Sequence, residues 1–169
     1  EYYSTVRTQN AIEKANVVLA LIDAEKGFGK QDKSIVDFVI DKGKGLIFVV
    51  NKWDLIQKKT HTMKDFKDEI RYQFKSLDHY PLLFISALTK QRIHKVLETA
   101  WAVYDRSQNL TLTHKLNDAL DQIISKNPPP AEKGKIIKIK YATQVSRNPA
   151  VIALYSNYPK LVKISYQRY

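Results

Sequence analysis

Three uninterrupted apolar runs constrain the fold of this chain more than any other feature of its sequence. They occupy residues 17–22, 46–50 and 82–85. A short apolar run without polar alternation is typical of a strand that is buried on both faces of a parallel sheet. The sequence therefore predicts three such strands, and Asp23 closes the first of them.

Amphipathic segments separate these runs and predict helices on the faces of the sheet. Apolar side chains recur at helical spacing in residues 8–16, 31–42, 62–77 and 92–106. Alternation of strands and helices implies an α/β unit with three layers, a parallel sheet and right-handed crossovers. Ligands of such sheets bind at the carboxyl ends of the strands. We therefore expect the site in the loops that follow Ile22, Val50 and Ile85.

Two of these loops carry polar motifs in matching positions. The first is Asn51-Lys52-Trp53-Asp54, and the second is Ser86-Ala87-Leu88. Together they resemble the guanine-specificity elements of P-loop GTPases. Either motif alone is also compatible with an ordinary turn or the start of a loop. Their occurrence on successive strand ends, in the right order, favours the guanine site.

Three residues of the motifs have a chemical reason to contact guanine. The Asp54 carboxylate can accept hydrogen bonds from the N1–H and the exocyclic amine of guanine, an edge that adenine does not offer. Lys52 can lay its methylene stem over the plane of the base. Asn51 can tie the two loops together, and the backbone N–H of Ala87 can donate to the guanine O6. A polar site of this kind rejects a base that leaves its groups unpaired.

The two tryptophans are not predicted to bind the ligand. Trp53 occupies the free position of its motif and is expected to pack beside the loop. Trp101 lies among apolar residues of a predicted helix and is expected in the core.

The motifs that handle phosphate and magnesium are absent from this sequence. It contains no Gly-x-x-x-x-Gly-Lys-Ser/Thr and no Asp-x-x-Gly, and residues 27–30 have the wrong spacing for a P-loop. Phosphoryl transfer requires those parts, so this chain is not expected to hydrolyse GTP alone. We expect a C-terminal portion of a longer protein, in which Mg²⁺ would bind through the missing segment. The four histidines have no paired ligand spacing, and no metal site is predicted from them.

The charge divides the chain into two parts. Residues 1–111 contain 18 basic and 14 acidic side chains, whereas residues 112–169 contain ten and three. Basic surfaces gain affinity for phosphates through counterion release. The second part is therefore the expected contact for a polyanion.

The second part has the pattern of a small α+β domain. A predicted helix from Leu112 ends at the prolines of residues 128–130, and strands are predicted over residues 135–143 and 151–155. A further helix is predicted from Pro159. This α-β-β-α order is typical of the beginning of a KH-like domain, and residues 112–169 would then be C-terminally incomplete.

Alternation in the first of these strands predicts Ile137, Ile139 and Tyr141 on one face. Lys138 and Lys140 then lie on the other face and suggest an RNA or ribosome surface. The alternative is a solvated strand face with lysines that protect an edge. No Gly-x-x-Gly, the loop with which ordinary KH domains clamp a nucleic-acid backbone, is present.

Taken together, these segments resemble the Der (EngA) GTPases. The matching stretches are residues 3–8, 11–15, 51–55, 86–89, 128–130, 141–146 and 165–169. The resemblance implies tandem G domains followed by a KH-like domain that acts in assembly of the large ribosomal subunit. Residues 1–111 would be the second G domain from after its switch II onward. Guanine nucleotide and ribosomal RNA are the implied partners, and the KH-like unit would dock on the G domains.

Two other hypotheses remain open at this point. One is an Era-like GTPase with a single G domain and an RNA-clamping KH domain, against which the missing Gly-x-x-Gly argues. The other is a non-enzymatic RNA-binding module in which the α/β part is only a scaffold. No apolar run is long enough for a membrane span. The absence of cysteine favours a reducing compartment, so the cytoplasm is expected.

Overall fold

The computed structural model describes residues 2–57, 62–147, 149–163 and 166 of the chain, and only the backbone of residues 2–4. The chain forms two compact units, residues 1–108 and 109–169. No helix among the described residues is both long enough and apolar enough to cross a bilayer.

The first unit is built on a parallel sheet with the strand order β1-β2-β3. The strands are β1 (Val17–Asp23), β2 (Gly45–Asn51) and β3 (Leu82–Phe84). Strand β1 pairs with β2 along its whole length, so that Asp23 lies opposite Asn51. Strand β3 pairs with only residues 48–50 of β2, toward its carboxyl end. The parallel sheet predicted from the apolar runs is confirmed.

Four helices accompany this sheet. They are α1 (Tyr2–Lys14), α2 (Lys30–Asp41), α3 (Thr62–Gln73) and α4 (Ile93–Gln108). The larger core includes Val36 and Val39 of α2, Ile70 of α3 and the fully buried Phe48 of β2. A second cluster, on the α4 side, contains Ile47, Val49, Ile85 and Val96. Both faces of β2 are therefore covered, as its apolar run predicts.

Strand β1 departs from the prediction that it is buried on both faces. Leu19 and Leu21 are 37% and 59% exposed, whereas Ile22 is 1% exposed. Strand β1 lies at the edge of the described sheet, where it pairs only with β2. Its side chains are therefore less covered than those of the central strand. Val17 is its one residue among those packed against the cluster on the α4 side.

Trp101 is also not in the core, and that prediction was wrong. Its side chain is 70% exposed, and its ring packs against Tyr104 on the same helix. The side of α4 that packs on the sheet carries residues 93, 96, 100 and 103. At about 100° per residue, Trp101 projects roughly a quarter to a third of a turn away from the centre of that side.

The third helix is shorter than its apolar spacing predicts. Helix α3 ends at Gln73, and Phe74 adopts an extended backbone before a 3₁₀ turn, Lys75–His79. Phe74 and Leu77 are both buried across this break, and Phe74 packs against Phe48 with ring centroids 5.5 Å apart. Tertiary packing thus overrides the continuous helix that the sequence predicts.

The second unit packs one helix against an antiparallel pair of strands. These are α5 (Thr113–Lys126), β4 (Ile139–Ser146) and β5 (Val151–Ser156). Asn117 of α5 holds the main chain of β4 with both ends of its amide. Its Nδ2 donates to the Ala142 carbonyl at 2.9 Å, and its Oδ1 accepts from the Ala142 N–H at 2.8 Å.

The first strand of this unit begins later than predicted. The sequence predicts a strand over residues 135–143, whereas the observed strand is Ile139–Ser146. Lys133 and Gly134, just before the predicted strand, form a turn with positive φ. Residues 136–138 bond instead to the Asn157 side chain, which accepts the Lys138 N–H at 2.8 Å and donates to the Ile136 carbonyl at 3.0 Å. The predicted strand over residues 151–155 is present.

The helix predicted from Pro159 is only a short 3₁₀ turn, Pro159–Leu161, in the described part of the chain. Its further apolar position, Ile164, lies outside the described residues. Residues 165 and 167–169 of the resemblance also lie outside them.

Gly45 provides a test of how closely α4 packs on the sheet. A Cβ at this position would lie 2.7 Å from Val103 Cγ1 and 3.1 Å from Val17 Cγ2. We expect Gly45→Ala to lower the free energy of unfolding by about 1–3 kcal/mol through overpacking. Urea unfolding, followed by Trp53 fluorescence in a Trp101→Phe background, measures the change.

Gly29→Ala is the matched control, because its Cβ would meet nothing closer than Asp32 Oδ2 at 3.6 Å. Equal losses of stability in the two variants would contradict the close approach described here.

Candidate functional site

The carboxyl ends of the three parallel strands are joined by main-chain hydrogen bonds. The Ala24 N–H donates to the Asn51 carbonyl at 2.9 Å, which ties the end of β1 to β2. Two further bonds tie the residues after β2 and β3, from Trp53 N–H to the Ile85 carbonyl at 3.0 Å and from Ile85 N–H to the Val50 carbonyl at 2.8 Å. The loops that follow these strands therefore start from one fixed edge, where ligands of parallel sheets bind.

Asn51 links the two motif loops through its side chain. Its Oδ1 accepts the backbone N–H of Ala87 at 3.0 Å. The Ala87 N–H, which the sequence predicts to donate to a guanine O6, donates to Asn51 in this structure. To donate to a ligand, Ala87 must share or exchange its bond to Asn51.

Ser86 shapes the loop from within. It is fully buried, its N–H donates to the Gln91 carbonyl at 3.2 Å, and its Oγ accepts the Thr89 N–H at 3.1 Å. Because a buried hydroxyl needs a partner, this bond both satisfies the side chain and closes the turn. Ser86 thus sets the path of Ala87 and Leu88, and its side chain faces the protein.

Lys52 is held in an unusual conformation beside a carboxylate. Its φ is +63°, in the left-handed region that residues other than glycine rarely adopt. Its Nζ lies 2.7 Å from Asp23 Oδ2, and its carbonyl accepts the Leu55 N–H at 3.1 Å. These contacts fix both the backbone and the tip of Lys52, and its stem runs between them across the strand ends.

The Asp23 carboxylate has two donors. The hydrogen bond from Lys52 holds the pKa of Asp23 below its usual value, and the Glu25 N–H, at 2.9 Å, acts in the same direction. The same pair raises the pKa of Lys52. Both groups are therefore charged at neutral pH, and the ion pair persists there.

Asp23 is a member of this site that the sequence analysis did not assign a role. The signal was present, because Asp23 ends the first apolar run at the strand edge where ligands are expected. The pairing of Asp23 with Lys52 depends on the register of β1 against β2, which places Asp23 opposite Asn51. No local pattern in the sequence specifies that register.

Asp54 carries a buried acceptor with no partner. Its Oδ1 is shielded from solvent and has no hydrogen bond among the described residues. A buried carboxylate oxygen without a donor is costly. A ligand N–H that reached this oxygen would remove that cost, which requires the atoms that cover it to move.

Trp53 anchors the motif loop to the core. It is 1% exposed, and its ring packs on Phe84 and Phe66 with centroids 4.4 Å and 5.7 Å away. Its neighbours are more accessible, since Lys52 is exposed and Asp54 is only partly buried. The prediction that Trp53 packs beside the loop agrees with this geometry.

The site combines a carboxylate acceptor, an aliphatic stem with a fixed charge and a rigid backbone. Such a set can hold a flat heterocycle that carries adjacent N–H donors. In the described part of the chain, no group of three or more histidine, aspartate or glutamate side chains could hold a metal ion.

The predicted site residues fall in both units. Asn51, Lys52, Asp54, Ser86 and Ala87 belong to the two loops of the first unit. The predicted RNA-contacting residues Lys138 and Lys140 belong to the second unit. Both are exposed, Lys138 just before β4 and Lys140 within it.

Two family models match the chain. Residues 2–126 match the GTP-binding domain of elongation factor Tu. Residues 111–169 match the KH-domain-like C-terminal part of EngA bacterial GTPase enzymes. The two matches overlap at residues 111–126 and together cover residues 2–169.

Curated relatives resemble the chain over its full length. A GTPase Der of Streptococcus suis is 44% identical over 169 residues, and one of Chlorobium phaeobacteroides is 43% identical. The chain spans 39% of the length of each of these relatives.

Among solved structures, the fold is similar to that of Era in complex with MgGDPNP and a segment of 16S ribosomal RNA. The TM-score is 0.50 at 24% identity, over 95% of this chain and 58% of that one. At this identity the likeness concerns the fold alone.

The ion pair of Asp23 and Lys52 predicts a change in the titration of Lys52. In Asp23→Asn, the pKa of Lys52 should fall toward its ordinary value of 10.5, because Asp23 supplies the main cause of its elevation. NMR titration of the lysine side-chain carbons measures this pKa. Glu25→Gln is the matched control, since Glu25 is only the last of the contributing charges. An unchanged Lys52 pKa in Asp23→Asn would show that the pair does not form.

Proposed function

Because the chain belongs to the Der (EngA) family of GTPases, we propose that its two motif loops bind the guanine base of GTP and GDP. The observation that carries this proposal is the buried Asp54 Oδ1, which has no hydrogen-bond donor among the described residues. Guanine offers two adjacent donors, N1–H and the exocyclic amine. Adenine presents no such pair on the same edge, so the carboxylate would favour guanine.

The neighbours of Asp54 support the same ligand. The stem of Lys52, held at its tip by Asp23 at 2.7 Å, offers an apolar surface on which a base can lie. Asn51 keeps the second loop close to the first through its hydrogen bond to Ala87. Ser86 shapes the second loop through its hydrogen bond to Thr89. The guanine O6 would be bound by the Ala87 N–H after its bond to Asn51 is shared or exchanged.

The chemistry of hydrolysis is proposed for the longer protein rather than for these residues. This sequence has no P-loop motif and no Asp-x-x-Gly motif, and the described residues offer no cluster of metal ligands. The residues present do not fit Mg²⁺, and no catalytic step is assigned to them. Their role is to select the base, and phosphate and Mg²⁺ contacts would come from other parts of a protein of this family.

We further propose that the whole protein acts in the cytoplasm on the large ribosomal subunit, with the second unit contacting ribosomal RNA. The match of residues 111–169 to the KH-like part of EngA supports this proposal, as does the excess of seven positive charges in residues 112–169. An Era-like protein is the weaker alternative, because the relatives at 43–44% identity are Der proteins and the Era likeness is one of fold.

Asp54→Asn in the full-length protein tests the guanine site. The amide replaces an acceptor with a donor, so GDP affinity should fall on the order of 100-fold. Xanthosine diphosphate, which has a carbonyl where guanine has its amine, should gain affinity in the same variant. Competition against a fluorescent nucleotide measures both changes.

Asp65→Asn, at an exposed position of α3, is the control and should leave both affinities unchanged. If Asp54→Asn keeps the full preference for guanine over xanthine and adenine, Asp54 is not the base-selecting residue.

Ribosome association separates the proposed switch from a passive RNA-binding module. We expect the amount of full-length protein that co-sediments with large subunits to differ between GDP and a non-hydrolysable GTP analogue. Asp54→Asn should lose this difference with guanine nucleotides and regain it with xanthine nucleotides. Equal, salt-sensitive association under all nucleotide conditions would favour the non-enzymatic module.

A further inference from the structure

The two strands of the second unit form a sheet whose faces are chemically different. Ile139, Ala142, Ile152 and Leu154 all line an apolar groove beside α5. These side chains define the inner face of the sheet. The opposite face, which we call the outer face, carries Tyr141, Thr143, Ala153 and Tyr155 at the paired positions between them.

An irregularity in β4 gives the outer face a lysine. The register shifts between Ile139, which pairs with Ser156, and Tyr141, which pairs with Tyr155. One extra residue, Lys140, therefore lies on β4 at this point, as in a β-bulge. Because Ile139 and Ala142 both line the groove, Lys140 and Tyr141 both belong to the outer face. Simple alternation predicts that Tyr141 shares a face with Ile139. The bulge explains why the two residues lie on opposite faces.

The outer face exposes two aromatic rings side by side. The rings of Tyr141 and Tyr155 have centroids 5.5 Å apart at an angle of 48°. Their side chains are 42% and 53% exposed, and Val145 on the same strand is 59% exposed. Large aromatic rings that remain accessible in a neighbouring pair are unusual for a surface that contacts only water, and they offer flat faces for stacking.

The charge around these rings is positive. Lys138 and Lys140 are exposed next to Tyr141 in the chain, and neither strand contains an aspartate or glutamate. Of the three acidic residues in this unit, Glu132 pairs with Lys163 at 2.7 Å. Asp118 and Asp121 lie on α5. The outer face therefore combines aromatic rings with lysines that form no ion pair with any described residue.

We propose that this outer face binds single-stranded RNA, with bases stacked on Tyr141 and Tyr155 and phosphates bound by Lys138 and Lys140. Stacking requires bases that are splayed out, so single strands are favoured over duplexes. The positive charge favours RNA over a protein partner. The absence of Gly-x-x-Gly from this unit requires a surface other than the usual KH cleft. The proposal rests on the ribosomal RNA contact proposed above and assigns it to specific residues.

The test measures binding of a labelled oligouridine to the full-length protein by fluorescence anisotropy. Tyr141→Ala and Tyr155→Ala should each weaken binding by about 5- to 100-fold, whereas Tyr141→Phe and Tyr155→Phe should bind as the wild type does. The double variant of Lys138→Ala and Lys140→Ala should reduce the salt slope of log K by about 0.7 for each lost phosphate contact. A duplex RNA of equal length should bind more weakly and should not respond to the tyrosine substitutions.

Matched controls come from the first unit. Tyr72→Ala removes a tyrosine that is 88% exposed, and Lys64→Ala removes an exposed lysine of α3. Both should leave RNA binding unchanged. GDP affinity, measured on every variant, should stay at the wild-type value, which shows that the protein is folded and that the nucleotide site is independent of the outer face.

The outcomes separate this inference from the proposed function. The wild type could bind RNA with an affinity that the tyrosine and lysine substitutions do not change. This result would overturn the assignment of RNA binding to the outer face but not the proposal that the protein contacts RNA. No RNA binding by the wild type, with normal GDP binding, would overturn both the face and the RNA contact. The tyrosine variants could also keep their RNA affinity while hydrogen–deuterium exchange of backbone amides becomes faster in other domains. The outer face would then contact those domains, and the proposal would be wrong.

Discussion

The hydrogen bond from the Ala87 N–H to Asn51 Oδ1, at 3.0 Å, is the contact on which the geometry of the site depends. It joins the loops after β2 and β3, which are far apart in the sequence, at the edge where the sheet ends. The main-chain bonds of Ala24 and Trp53 to the same strand ends extend the connection to all three strands. With these ends fixed, Lys52 and Asp54 have defined positions, and the ion pair of Lys52 with Asp23 follows from the register of β1 and β2.

Sequence patterns were sufficient for the elements of the first unit because continuous apolar runs that alternate with amphipathic helices are typical of a covered parallel sheet. They were insufficient where burial depends on what lies next to an element. Leu19 and Trp101 are apolar at positions that favour the core, yet both are exposed, because β1 pairs only with β2 in the described sheet and α4 packs through another side. The two motif loops were readable as local patterns, whereas the contacts of Asp23 and the bond of the Ala87 N–H to Asn51 arise from tertiary structure.

The second unit shows the same limit at the level of a single strand. Strict alternation assigned Tyr141 to the inner face with Ile139, and one extra residue in β4 moved it to the outer face beside Tyr155. A bulge of this kind leaves no clear mark in the sequence, although it decides which side chains a strand offers to a partner. Lys138 and Lys140, which the sequence predicts to contact RNA, therefore lie near the aromatic pair of Tyr141 and Tyr155.

The central claim is that the strand edge of the first unit selects guanine through hydrogen bonds to one carboxylate. Calorimetric affinities of the full-length protein for GDP, inosine diphosphate and ADP test it most directly, since inosine lacks only the exocyclic amine of guanine. The account predicts that GDP binds most tightly, that inosine diphosphate is weaker by roughly one charged hydrogen bond, about 1.5–3 kcal/mol, and that ADP is weakest. Equal affinities for GDP and ADP would contradict it.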